Sequence, residues 1–264
     1  MENILEIRNL KKSFGGSKLF KSRNPKVAVD NISFEIKRGE VFGLVGESGC
    51  GKSTTGNLIS RLLTIDSGEI IYRGKNISSL KGRGLKSMRK NIQMIFQDPY
   101  HSLNPKKTLG WILMEPMIIH NLYTREERNR KILEMLEIAG FDETFLKKYP
   151  HELSGGQRQR IAILAALMCE PDFVIADESV SALDVSVQAQ ILNFMKKLQR
   201  KMGLTYLFIS HDLNVVYYMC DRIAVMKDGK IVEIDEAERL YTNPKHPYTR
   251  ALLEAVPGRN QIED

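Results

Sequence analysis

The stretch Gly46-Glu47-Ser48-Gly49-Cys50-Gly51-Lys52-Ser53 decides how the chain is read. Two glycines bracket four residues, and a lysine and a hydroxyl residue follow, which is the pattern of a phosphate-binding loop. The pattern counts only between a strand and a helix. Here Val41-Phe42-Gly43-Leu44-Val45 reads as a buried strand, and residues 54–63 read as a helix. Gly46, Gly49 and Gly51 lack a Cβ, so the backbone can take unusual dihedrals and approach a phosphate closely. Backbone N–H groups along the loop, those of Glu47, Ser48 and Cys50 included, form an anion nest. The helix that opens at Thr54 adds roughly half a positive charge at its N-terminus. Lys52 supplies a mobile full charge to the terminal phosphates, and the Ser53 hydroxyl can ligate Mg²⁺. The motif predicts a nucleoside triphosphate site.

Composition bounds the rest. A chain of 264 residues can bury roughly 70–75% of its unfolded surface and needs no disulfide or metal staple. The net charge of +7 admits an anionic partner, although a phosphate-handling protein carries part of that excess for its own ligand. The start, Met1-Glu2-Asn3-Ile4, has no basic n-region or apolar h-region, so no signal peptide is expected. The longest apolar run, 161–169, is too short to span a bilayer. Cys50, Cys169 and Cys220 lie far apart without metal-ligand spacing and fit a reducing compartment.

Along the chain, residues 4–14 predict a first strand ending at Phe14, and 15–26 an exposed basic insertion. Val27 to Ile36 alternates apolar and polar residues, a half-buried strand, and 69–72 reads as another. Asn91 to Phe96 is a strand ending at Gln97-Asp98-Pro99. The pattern then turns helical to about Cys169, with candidates at 109–120 and from a Thr124–Glu127 capping box to Gly140. Leu153-Ser154-Gly155-Gly156-Gln157 opens the next helix and is either an ordinary N-cap or a second anion site. Asp172 to Ala176 runs as an apolar strand into Asp177-Glu178, at the edge where ligands bind in open α/β sheets. Because side chains alternate along an extended segment, Asp177 can help hold Mg²⁺ while Glu178 polarises the attacking water. Ser181-Ala182-Leu183-Asp184 leads to a helix ended by Gly203. A buried strand, 204–209, follows with Ser210-His211-Asp212 at its end, where His211 can contact a phosphate. A hairpin turning at Asp228-Gly229 precedes a short C-terminal helix. The fold class is α/β, a phosphate-loop ATPase core of mixed sheet flanked by helices. It has an antiparallel β edge and an inserted helical lobe.

The set Gly46–Ser53, Gln97, Leu153–Gln157, Asp177-Glu178, Ser181–Asp184 and His211 resembles an ABC transporter ATPase subunit, in order and over essentially the whole chain. The resemblance implies one ATPase domain over 1–264, with a core of 1–96 and 170–240, a helical lobe of 97–169 and a tail of 241–264. It implies ATP and Mg²⁺ as ligands and a head-to-tail dimer that sandwiches each nucleotide between one subunit's phosphate loop and the other's Leu-Ser-Gly-Gly-Gln. Carried onto this sequence, Phe14 would stack on adenine, with Phe20 nearby as the alternative. Lys52 would bind the β- and γ-phosphates, Ser53 and Gln97 the Mg²⁺, and His211 the γ-phosphate. Glu178 would be the general base. Ser154 and Gly156 would serve the partner's nucleotide, flanked by Gly155 and Gln157, with Asp184 also on the nucleotide side.

A narrower resemblance, to the oligopeptide/dipeptide/nickel importer branch, is carried by Gly46–Ser53, Gln97–Pro99, Ser102–Pro105, Val185–Leu192 and the tail Asn243–Leu253. It implies a sister ATPase, two transmembrane permeases and an extracytoplasmic solute-binding protein, with this chain peripheral at the cytoplasmic face. Coupling would pass through 97–105. The chain looks most like the second ATPase of the pair. Two positions depart from that branch: Ser179 stands where proline is usual, and Ala165 where arginine is usual. No C-terminal cysteine cluster is present, so no iron–sulfur centre is expected. A nucleic-acid-linked ATPase of this family would need a second ATPase domain or a long coiled-coil insertion, and neither is found. A regulatory, non-hydrolysing subunit is the other alternative.

Overall fold

The computed structural model describes residues 2–15, 26–98 and 102–255. Phe20, nearly all of the expected insertion, and Pro99 lie outside the described residues. Two units form, one of residues 1–80 with 205–264 and one of 81–204.

The first unit begins with β1 (Asn3–Phe14) and β2 (Lys26–Lys37), antiparallel from Asn3 opposite Lys37 to Phe14 opposite Lys26. The alternation read in β2 holds in its second half, where Ile32, Phe34 and Ile36 are buried and Ser33 and Glu35 between them exposed; Val27, read with them, is exposed. After β3 (Val41–Val45) and α1 (Lys52–Ile59), β4 (Ser67–Tyr72) and β5 (Lys75–Asn76) complete an antiparallel sheet in the order β2-β1-β4-β5. This is the antiparallel edge that the sequence predicts. Helix α1 ends before the expected residue 63 because Arg61 takes φ 59°. The Leu62 N–H then returns to Asn57 O at 2.9 Å, closing the helix as a glycine cap would.

The second unit contains α2 (Gly82–Asn91), β6 (Ile92–Ile95), α3 (Leu109–Ile119), α4 (Arg125–Ile138), α5 (Gly155–Leu167), β7 (Phe173–Asp177) and α6 (Val185–Met202). The Thr124–Glu127 capping box opens α4, and Gly140 follows it at φ 76°. Helix α2 escapes the periodicity reading because Met88 is its one buried residue, so it has no apolar stripe. Strands β6 and β7 pair in parallel, Ile92 opposite Phe173 through Ile95 opposite Ala176. Helix α6 buries Ile191, Leu192, Phe194, Met195 and Leu198 and stops at Gly203, φ 65°.

The chain re-enters the first unit with β8 (Thr205–Ser210), α7 (Leu213–Met219), β9 (Arg222–Lys227), β10 (Lys230–Glu236), α8 (Ala237–Thr242) and α9 (Pro247–Glu254). Strand β3 runs parallel to β8 on one side and β9 on the other, and β10 turns back on β9 through Asp228 (φ 48°) and Gly229 (φ 82°). None of the described helices is long and apolar enough to cross a membrane.

One core group works against stability. Tyr206 is fully buried, and its hydroxyl has no hydrogen-bond partner among the described residues. Burial pushes its phenol far above the ordinary value. Tyr206→Phe removes that unpartnered donor without changing the ring, so it should raise stability by about 1 kcal/mol. Urea unfolding should give a higher midpoint at unchanged slope, and a lower midpoint would contradict the reading.

Candidate functional site

In the first unit, β3 is buried along its whole length and delivers the chain into the loop at Gly46. Gly46, Gly49 and Gly51 take φ of 152°, 79° and 113°, in the region where a side chain is strained. Gly51 is also the N-cap of α1, and it brings no side chain to occupy the helix's first-turn amides. These N–H groups fit a phosphate. Lys52, read in sequence as mobile, is almost fully buried here, and its ammonium donates to Gly46 O at 2.8 Å and Glu47 O at 3.0 Å. Cys50 is buried beside it, and burial pushes its thiol up, so it behaves as a small packing residue. Ser53 is exposed, and Thr54 half-buried.

Strand β8 ends level with β3, Val45 opposite Ser210. The exposed His211 therefore follows at the same strand edge from which Gly46 departs. The Ser210 hydroxyl accepts from Asp212 N, and Asp212 caps α7 through Asn214 N and Val215 N, fixing the turn that carries the histidine. Phe14 closes β1 as an exposed residue, with the Lys12 ammonium 5.6 Å from its ring centroid.

In the second unit, the parallel register of β6 and β7 puts Gln97 and Asp177-Glu178 at one edge. The Gln97 amide donates to a Glu178 carboxylate oxygen at 3.1 Å. Asp177 is buried and Glu178 half-buried, and the difference does not come from strand alternation, because β7 ends at Asp177. Glu178 has φ 45°, uncommon outside glycine, and Ser181 holds the turn by donating from its hydroxyl to Glu178 O at 2.9 Å. The Asp177 carboxylate and the Gln97 amide oxygen are hard donors of the kind Mg²⁺ takes. Ser179 is 1% exposed with its hydroxyl unpartnered, and nothing in the structure explains a serine there.

The geometry of 153–157 is that of an ordinary N-cap. Ser154 forms a complete capping box with Gln157, accepting from its N–H at 3.3 Å while Gln157 accepts from Ser154 N at 3.0 Å. Gly156 has a separate reason to lack a side chain, because a Cβ there would lie 2.5 Å from Val187 Cγ1 on α6. Asp184 caps α6, accepting from Val187 N at 2.9 Å, a structural task that the sequence reading omits. The sequence reading also misses Tyr248, whose hydroxyl lies 3.4 Å from Glu47 N; the unusual tail motif was the available signal.

Residues 29–181, more than half of the chain, match the family model described as ABC transporter. The chain belongs to this family. Residues 232–264 match a second model, "Oligopeptide/dipeptide transporter, C-terminal region". Among curated ABC proteins, the oligopeptide transport ATP-binding protein AppF of Bacillus subtilis is 54% identical over 259 residues, which is 97% of this chain and 79% of AppF. OppF of the same organism is 52% identical over 97% of this chain and 83% of its own. Among solved structures, the ABC cassette MJ0796, a dimer in a post-hydrolysis state with ADP and Pi, matches with TM-score 0.77 at 31% identity. That match covers 88% of this chain and 98% of that one.

Proposed function

We propose that this chain is the ATP-hydrolysing subunit of an oligopeptide or dipeptide importer. The observation that carries it is the Gln97–Glu178 hydrogen bond, which holds a carboxylate at a strand edge in a chain that also has the glycine-rich loop and its docked lysine. The match of 232–264 to the oligopeptide/dipeptide model supports the choice of cargo.

In this proposal the loop amides of residues 46–54 and the Lys52 ammonium bind the triphosphate, and the exposed Phe14 offers its ring face to adenine. Ser53, Gln97 and Asp177 are the residues that would hold Mg²⁺, which would neutralise charge on the phosphates. Glu178 takes the proton of the attacking water, Gln97 keeps that carboxylate oriented, and His211 contacts the γ-phosphate. Ser154, Gly155, Gly156, Gln157 and Asp184 serve the nucleotide of a sister ATPase in a head-to-tail dimer.

Two transmembrane permeases and an extracytoplasmic solute-binding protein complete the assembly, with the chain peripheral at the cytoplasmic face. In this proposal a permease helix seats in the second unit, in a cleft of about 250 Å³ lined by residues that include Phe96, Leu103, Ile112, Pro116 and Ala165. Ala165, one of the two departures from the importer branch, thus faces that cleft.

The test is Mg²⁺-dependent ATP hydrolysis by this chain alone and mixed with its sister ATPase. Turnover should require Mg²⁺ and rise strongly on mixing. ATP binding without turnover in any mixture would replace the proposal with that of a regulatory, non-hydrolysing subunit.

A further inference from the structure

The peptide unit joining Gly46 to Glu47 is held from both sides. Its carbonyl accepts the Lys52 ammonium at 2.8 Å, and its N–H donates to the Tyr248 hydroxyl across a long 3.4 Å. A trans peptide points its C=O and N–H in opposite directions, so the lysine and the tyrosine grip opposite edges of one rigid plane. Glycine at position 46, with φ 152°, brings no side chain to hold that plane. Its orientation therefore depends on what grips it.

Tyr248 is itself presented firmly. The Glu233 carboxylate on β10 accepts from Lys245 N at 2.8 Å and His246 N at 3.0 Å, and the Lys245 ammonium pairs with Asp235 at 2.8 Å. His246 Nδ1 accepts from Tyr248 N at 3.1 Å as the N-cap of α9, and the Arg250 guanidinium donates to Pro244 O at 2.9 Å. From the other side the Lys227 ammonium sits 4.6 Å from the Tyr248 ring centroid. These contacts seat the C-terminal segment against the first turn of the phosphate loop.

We infer that Tyr248 is a positioning residue for Lys52, acting through the Gly46–Glu47 peptide, so that ATP affinity depends on the docking of the C-terminal segment onto the phosphate loop. The inference rests on reading residues 46–53 as the ATP site. Without the tyrosine hydroxyl, the peptide can rotate and carry with it the carbonyl on which Lys52 is docked. Binding of the β- and γ-phosphates weakens. Because coupling is reciprocal, bound ATP must also steady the segment.

The test uses the full chain with a fluorescent ATP analogue, urea unfolding, and hydrogen exchange of α9. Tyr248→Phe keeps the ring and removes the hydroxyl. It should weaken ATP binding about three- to ten-fold, the scale of one neutral hydrogen bond, with an unchanged urea midpoint. ATP should slow exchange of α9 in the wild-type chain and do so less in Tyr248→Phe. Lys227→Met, which removes the cation from the ring, should shift affinity the same way. An affinity within two-fold of wild type in Tyr248→Phe, or α9 exchange indifferent to ATP, would overturn the inference and leave the ATP site intact. A wild-type chain that fails to bind ATP would overturn the site reading and the inference together.

Discussion

Glu178→Gln should lower the rate of ATP hydrolysis by at least roughly 10²- to 10⁴-fold, the contribution of a positioned general base, and leave ATP binding in place. The substitution exchanges one carboxylate oxygen for an amide nitrogen and keeps the length and shape of the side chain. The amide carbonyl can still accept from the Gln97 Nε2 that now lies 3.1 Å from Glu178, so the local arrangement survives with a weaker, neutral hydrogen bond. Backbone strain is also matched, because glutamine meets the same cost as glutamate at φ 45°. What disappears is the capacity to accept a proton from water at neutral pH. Phosphate release under saturating Mg²⁺-ATP reads the loss, and titration with a fluorescent ATP analogue checks that binding persists. Turnover close to wild type would remove Glu178 from the mechanism and, with it, the role proposed for Gln97.

The parts of this molecule that were legible in sequence share one property: their signal is local. The loop at 46–53 announces itself by glycine spacing, and the strands before it and before Asp177 by unbroken apolar runs. The capping box at Thr124 and the turn at Asp228-Gly229 are likewise written in adjacent residues. Helix α2 has no such local signal, because one buried methionine makes no stripe. The early end of α1 hides behind an arginine in a conformation usually left to glycine. At the site, Gln97 and Glu178 were both singled out, but their meeting depends on the parallel register of β6 and β7, which no single stretch encodes. The same holds for Tyr248, 201 positions from Glu47 in the chain. Asp184 shows the opposite case: the family resemblance places it on the nucleotide side, and its geometry is that of an N-cap.

The second large effect separates two reasons for having glycine in the phosphate loop. Gly51→Ala should cost about 2–4 kcal/mol of stability and remove most ATP binding. At φ 113° an alanine is strained, and its Cβ would lie 2.2 Å from Ala28 O and 2.7 Å from Met226 Cε. The methionine tip can move aside; the carbonyl cannot. Ala28 sits on β2 between Val27 and Val29, which are paired with Ser13 and Lys12 of β1. Just beyond it, Asp30 N donates to Gly229 O at 2.8 Å, while Gly229 N donates to Cys50 O at 2.9 Å, tying strand, hairpin turn and loop together. Relief must therefore come from the loop, by displacing the first turn of α1 and the amides that would meet a phosphate. Gly49→Ala is the control. It has φ 79° and nothing within 4 Å of its Cβ, so only the backbone strain applies and the cost should stay near 1 kcal/mol. Urea midpoints of the two variants decide the matter: a Gly51→Ala loss well above that of Gly49→Ala supports the clash with Ala28, and equal losses would show that backbone strain alone selects glycine at both positions.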